Sequence, residues 1–246
     1  MTYNVHRCLG VDGRLDVARI ADVIAADRPD IVALQELDVG RARTNGVDQA
    51  HEIAGRLGMR SRFHAALNVE GELYGDAILT SLPERLVKAG PLPGFAPLPQ
   101  LEPRGAVWAA VEVGGAEVQV VNTHLGLLAR EQAGQVEALL GPVWLRAAGE
   151  AVILLGDFNA TSGSNPYRRV VERLADAQKR LPGRTVPTFP SMFPMLRIDH
   201  LFVGRAIKVR RVWTSTSPLA RTASDHLPLI MDFEVDSSSP AANRSR

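Results

Sequence analysis

Apolar positions along the chain recur with two periods. Between Leu15 and Ala26, Val17, Ile20, Ala21 and Ile24 fall on one helical face, and Asp48 to Leu57 predicts a second helix stopped by Gly58. Thr2 to Val5 reads as the end of a strand and Asp30 to Leu34 as a short apolar strand. Strand-like runs follow at Ser61 to Ala66, Tyr74 to Leu82, Ala106 to Val113 and Glu117 to Asn122, with Gly114-Gly115 as a hairpin turn between the last two. A helix is predicted over Leu128 to Ala148, with Gly134 and Gly141-Pro142 expected to interrupt it. Val152 to Gly156 is a buried strand, Pro166 to Leu174 a helix, and Ile198 to Val203, Ile207 to Thr214 and Pro228 to Val235 are strands.

Hairpins and crossovers both occur in this order. A purely parallel doubly wound sheet is therefore disfavoured, and the pattern predicts an α/β (α+β) fold of two mixed sheets packed face to face with helices outside. With no repeat and no central linker, residues 1–235 read as a single domain. Lys88 to Arg104 holds five prolines and reads as a long surface loop, while the tail from Asp236 (DSSSPAANRSR) has the composition of disorder.

Length alone does not choose between one large domain and two small ones, since the chain has 246 residues. A hydrophobic content of 46% and a charged content of 22% belong to an ordinary globular protein with a sizeable core. The single cysteine, Cys8, excludes an internal disulfide framework and fits a reducing compartment. No apolar run reaches the ~18 residues of a membrane span, and no signal peptide precedes the first strand. A cytoplasmic location is the expectation, with export left open because the first strand begins almost at once. A net charge of +1 weighs against non-specific binding of long nucleic acid, which calls for a basic excess. Oligomeric state leaves no signal.

Polar residues end or interrupt the apolar runs at Asn4, Glu36, Asp76, His124, Asp157 with Asn159, Asp199 with His200, and Asp225 with His226. Any one of them is unremarkable as a turn cap. Strand ends on one edge of a sheet converge, however, and so many polar ends suggest one cleft. Carboxylates with an amide, and no Cys- or His-rich spacing, make a hard-oxygen site suited to Mg2+ or Mn2+ rather than structural zinc. Histidines beside such an ion suit acid–base work on a phosphate ester.

The motifs TYNVH, LQELD, YGDAIL, NTHLG, GDFNA, RIDHLFV and SDHLP stand in an order that resembles the endonuclease/exonuclease/phosphatase superfamily. That superfamily includes deoxyribonuclease I, exonuclease III-type repair nucleases, neutral sphingomyelinases and inositol-phosphate phosphatases. The layout is most similar to its bacterial metal-dependent hydrolases. The resemblance implies a four-layer α/β/β/α sandwich, Mg2+ or Mn2+ as cofactor, and a phosphate-ester substrate. It also assigns roles. Glu36 and Asp225 would hold the metal, and Asn4 the metal or phosphate. Asp157 would orient or deprotonate water, and Asn159 would donate to a phosphate oxygen. His226 would be the catalytic histidine, oriented by Asp199, and His124 the second histidine.

Two positions depart from the pattern. Asp76 replaces an asparagine usual in the bacterial group, and its likeness to the deoxyribonuclease I branch predicts an Asp76–His124 dyad that keeps the imidazole protonated; a solvated strand cap is the plain alternative. His6 stands where repair nucleases carry a metal-binding Asp. Arg41 and Arg43 follow Glu36 at the same rim and suit bidentate phosphate binding, with a solvated loop charge as the alternative. His200, next to Asp199 on a strand, should face away. The loop Thr185 to Leu196, with Phe189, Met192, Phe193 and Met195, either covers an apolar part of a substrate or packs on the core. The function expected is a metal-dependent phosphodiesterase acting on a small or lipid-like substrate. A DNA nuclease and a non-catalytic binding module are the alternatives.

Overall fold

In the computed structural model, residues 1–236 are described; of the tail expected to be disordered from Asp236, the part from residue 237 on lies outside them. Two six-stranded mixed sheets face each other. The first contains β1 (Thr2–Asn4), β2 (Ile31–Val39), β3 (Arg60–Val69) and β4 (Glu72–Thr80). The second contains β5 (Glu84–Pro91), β6 (Gly105–Val113), β7 (Ala116–His124), β8 (Val152–Asp157), β9 (Ala175–Asp176) and β10 (Asp199–Val203). The chain then returns to the first sheet with β11 (Ile207–Thr214) and β12 (Leu229–Val235).

Each sheet has one parallel pair, β1–β2 and β7–β8, and every other pairing is antiparallel. A parallel pair needs a crossover. The two crossovers carry α1 (Val17–Asp27) and α3 (Ala129–Leu140). With α2 (Gln49–Leu57) and α5 (Pro218–Ala223), α1 covers the outer face of the first sheet, burying Ile20, Ile24, Ile53 and Ala220. α3 and α4 (Asn165–Val171) cover the second, around Val136, Leu139, Tyr167 and Phe202. Between the sheets lie Ala33, Ile78, Val107, Val120, Ile153 and Leu201. The four layers expected from the sequence are present.

The helix ends follow local chemistry. Asp16 and Asp48 accept the Arg19 and His51 backbone N–H groups as N-caps. Gly58 closes α2 at φ 65°. α3 runs through Gly134, where the expected break does not occur, and stops at Gly141, which the following Pro142 holds extended. β5 occupies part of the segment expected to be loop. It is a largely half-exposed edge strand whose charged residues Glu84, Arg85 and Lys88 interrupt any apolar run, so its sequence lacks the signal that marks the inner strands.

Polar groups also cross the sandwich. Gln35 Nε2 donates to Asn122 Oδ1 (2.7 Å), and Asn122 Nδ2 donates to the Leu34 and Ala77 carbonyls (2.9 Å each). Both side chains are fully buried, and these bonds fix the register of one sheet against the other. Among the described residues, no helix is long and apolar enough to cross a membrane.

Candidate active site

The strand ends form one rim. Asn4 and His124 are the last residues of β1 and β7, Asp157 ends β8, and Asp199 begins β10 in register with Asp157. Asp225 and His226 precede β12, and Arg104 immediately precedes β6. Glu36 arrives differently. β2 continues past it to Val39, and Gln35 and Glu36 together fill the gap between the pairs Leu34↔Ala77 and Leu37↔Gly75. This bulge, with Glu36 at φ 61°, lets Gln35 face the other sheet while Glu36 turns into the rim.

The end of β8 requires its glycine. Gly156 has φ 145°, and a Cβ there would stand 1.8 Å from the Thr123 carbonyl oxygen, so only glycine allows β7 this close. Asp157 Oδ1 then accepts the Asn159 backbone N–H (2.9 Å), holding Asn159 at φ 49°.

At the centre is Asn4. Its amide nitrogen donates to Glu36 Oε1 (2.9 Å) and to Asp157 Oδ2 (3.0 Å), while its oxygen accepts the His6 backbone N–H (3.0 Å). That N–H donor fixes which way round the amide lies. Asn4 therefore draws two carboxylates together, and as placed its oxygen is spent on the backbone rather than offered to a metal or phosphate. His226 Nδ1 meets Asp199 Oδ2 at 2.9 Å, and its Nε2 faces Asp157 Oδ2 at 3.6 Å. His124 Nε2 lies 3.6 Å from that same oxygen. Thr188 Oγ1 also donates to Asp199 Oδ2. Asp199 Oδ1 is buried without a partner.

Burial dominates the electrostatics. It pushes the Asp157 carboxyl up to about 7 against the pull of His226, and Asp76 up to about 8 against the pull of Arg104. Burial alone would lower His226, but Asp199 and Asp157 outweigh it and raise the imidazole to about 10. For His124, burial, Arg104 and His226 all act downward, well below the ordinary histidine value.

The expected Asp76–His124 dyad is replaced. His124 Nδ1 meets Arg104 Nη1 at 2.9 Å, and Asp76, buried, instead accepts the Glu36 backbone N–H. Buried, and with a guanidinium at its side, His124 is neutral, the reverse of the expectation. Arg43 gives a two-pronged pair to buried Asp38 (2.7 Å each), and Arg41 lies near Asp38 (3.9 Å) and Glu72 (3.5 Å). Arg43 is thus spent on Asp38 rather than aimed at a phosphate as expected, while Arg41 makes only these longer approaches and its buried Nε has no hydrogen-bond partner. Asp225 Oδ1 stands 3.9 Å from His6 Nδ1, at the outer side of the rim. His200 faces away, as expected, with Nε2 on the Ala160 carbonyl (2.7 Å).

In the Thr185 to Leu196 loop, Phe189 packs against the His226 ring (4.8 Å between centroids), but Phe193 and Met195 are each 75% exposed. Packing on the core therefore describes only its base. Sequence reasoning missed Arg104, Thr188 and the bridging pair Gln35–Asn122. The only signal for Arg104 was a charged residue just before an apolar strand.

A family model described as "Endonuclease/Exonuclease/phosphatase family" matches residues 1–226. The chain belongs to this family. It is thus a phosphate-ester hydrolase of the endonuclease/exonuclease/phosphatase type. YbhP of Escherichia coli K12 is 28% identical over 256 residues, covering 96% of this chain and 95% of that protein. Solved structures of similar fold include a mannosyl-6-phosphatase from Bacteroides thetaiotaomicron (TM-score 0.75, 20% identity, 95% of this chain and 98% of that one). The human Nocturnin catalytic domain is another (TM-score 0.70, 22% identity, 95% and 91%).

Proposed function

We propose that the protein hydrolyses a small or lipid-like phosphodiester, assisted by Mg2+ or Mn2+. The observation that carries this reading is the pair of carboxylates, Glu36 and Asp157, held on one amide beside the His226–Asp199 pair.

The donor set fits a hard divalent ion. Glu36, Asp76, Asp157, Asp199 and Asp225 crowd one rim against His226 and Arg104, and the raised Asp76 and Asp157 carboxyls reflect buried acids short of positive charge. Asp157, Asp199 and His226 offer ligand atoms within 4.8 Å of one another. Because His226 and Asp199 are already bonded to each other, we assign them to proton handling and the ion to Glu36 and Asp225, with Asn4 orienting Glu36. Such an ion supplies positive charge against phosphoryl oxygens and the attacking water.

The chain's own residues supply the rest. Asp157, poised near neutrality and flanked by N–H donors, takes the proton from water. His226, kept protonated by two carboxylates, donates toward the charge that develops on the ester oxygens. Asp199 and Thr188 hold its ring in place, as the acid of a hydrolase triad does.

The exposed apolar hairpin favours a diester with an apolar group. It starts at Thr188 and Phe189, which touch Asp199 and His226, and across the rim Leu127, 71% exposed, follows His124. The nuclease alternative draws less support. Arg169 pairs with Glu137 and Glu172, Arg173 bonds the Leu140 and Leu145 carbonyls, Arg210 pairs with Glu234, and Arg211 lies on Trp213.

The test assays purified protein with Mg2+ or Mn2+ against an aryl phosphodiester, an aryl phosphomonoester, a lysophospholipid and plasmid DNA. Diester or lysophospholipid turnover that is lost in His226→Ala, with DNA untouched, supports the proposal. His226-dependent plasmid nicking promotes the nuclease, and absence of metal-dependent turnover on all four sinks the diesterase.

A further inference from the structure

The surroundings of His124 hold a conflict of hydrogen-bond roles that neither neutral tautomer removes, and the neighbours decide on which nitrogen it falls. Arg104 Nη1 stands 2.9 Å from Nδ1, and Asn159 Nδ2 stands 3.1 Å from Nε2. Both neighbours are donors, and a neutral imidazole has only one nitrogen that accepts. The guanidinium cannot give up its proton, so Nδ1 must be the acceptor. Arg104 is fixed in that position. It is 8% exposed, and the same Nη1 is held by Glu102 Oε1 at 2.8 Å.

The proton of His124 is then on Nε2, the nitrogen that faces Asp157 Oδ2 at 3.6 Å. Asn159 Nδ2 spends one hydrogen on the Leu125 carbonyl (2.9 Å), and its second points at the Nε2–H. Two N–H groups 3.1 Å apart cannot satisfy each other, so both are left to donate to a negatively charged oxygen that approaches beside the pair. Backbone geometry supports the same end: Asn159 is held at φ 49° by its own N–H on Asp157, which turns its amide toward the imidazole.

We propose that Arg104 is a positioning residue: its guanidinium holds His124 as the Nε2–H tautomer, so that His124 and Asn159 together present two N–H donors, and no base, to a phosphoryl oxygen. The role given to the phosphoryl oxygen rests on the diesterase reading above; the tautomer does not. In this arrangement His124 cannot accept the proton of water, which leaves that task to Asp157. Deleting the guanidinium frees Nδ1, and the ring can then take its proton there and offer a lone pair on Nε2 to the Asn159 amide. The donor pair is lost, although every residue that touches substrate is still in place.

The experiment is a long-range 1H–15N correlation of the histidine rings in 15N-labelled, metal-free protein at neutral pH, with the His124 signals assigned by their loss in His124→Asn. Wild type should show the Nε2–H pattern for His124. Arg104→Leu should move it to the Nδ1–H pattern or to a tautomer average, and Arg104→Lys, which restores a cationic donor, should bring it back toward wild type. An Nδ1–H or doubly protonated ring in wild type overturns the proposal, and this reading stands even if Arg104→Leu does not fold. An unchanged pattern in a folded Arg104→Leu overturns it equally. Kinetics on the aryl diester provide the second readout: kcat should fall by about 100-fold in Arg104→Leu, as for loss of a transition-state donor, with KM little changed and partial recovery in Arg104→Lys. An effect on KM alone would reassign Arg104 to substrate binding and overturn the positioning role. Should no diester be turned over, the diesterase fails while the tautomer is still decided by the spectrum.

Discussion

His200 should make the protein acid-sensitive in a defined window. The ring is fully buried between Phe158, Tyr167 and Phe202, at centroid distances of 5.6, 5.1 and 5.3 Å. One nitrogen donates to the Ala160 carbonyl, and the other, Nδ1, is buried without a partner. Burial above all, with Arg197 behind it, disfavours the imidazolium; the Ala160 carbonyl and then Asp176 and Asp199 only partly oppose this, and the value falls from 6.5 to about 4. The native state thus keeps His200 neutral where the unfolded chain has taken up a proton. A depressed histidine gives stability that is complete above pH 6.5 and is lost as the pH falls toward 4, by about 3 kcal/mol for a shift of this size. His200→Gln retains a donor for Ala160 but has no titrating group. At pH 7.5 it should be less stable than wild type by about 2 kcal/mol, because the surrounding rings lose a packing partner. Urea unfolding of both proteins between pH 4 and 7.5 isolates the effect, since every other ionisable group is common to the two. The gap should close, and then reverse, as the solution is acidified. A difference that stays constant across the range would refute the argument that burial holds this ring neutral.

Three further outcomes are expected. Glu36→Gln should weaken Mg2+ or Mn2+ binding, read by calorimetry, by more than about tenfold, yet leave the metal-free Tm level or higher, because one of two carboxylates sharing the Asn4 amide loses its charge; a large fall in the metal-free Tm would count against it. Asn122→Ala removes the donor to the Leu34 and Ala77 carbonyls and the acceptor for Gln35. Chemical denaturation should register a loss of about 3–5 kcal/mol, and a loss under about 1 kcal/mol would mean that the cross-sheet bonds are not needed. Phe193→Ser with Met195→Ser changes two exposed side chains, so Tm should hold. KM for a long-chain diester should rise about tenfold, the equivalent of roughly 1.4 kcal/mol of apolar contact, while a methyl aryl diester is unaffected; equal changes for both substrates would remove the hairpin from the binding site.

The residues that meet at the rim were legible in the sequence because apolar strands must end somewhere, and Asn4, His124, Asp157 and Asp199 occupy those ends. Their convergence follows from topology: the central parallel pair of each sheet puts its C-terminal edge at the same rim. What the sequence does not carry is how neighbours from other strands use those groups. Glu36 reaches the rim through a one-residue bulge, and a bulge leaves no mark in an apolar pattern that simply continues to Val39. Arg43 has the right chemistry for phosphate, but Asp38, two residues beyond Glu36 and buried, takes it first. The same logic explains the reversed charge of His124. Motif likeness pairs it with Asp76, but the β6–β7 pairing carries Arg104, from the end of a proline-rich loop, to its Nδ1 instead. A cation in place of a carboxylate at that one nitrogen turns a proton donor of variable charge into a fixed neutral one. In a site of this kind, then, residue types can be read along the chain, while protonation states belong to contacts across strands and have to be read from the fold.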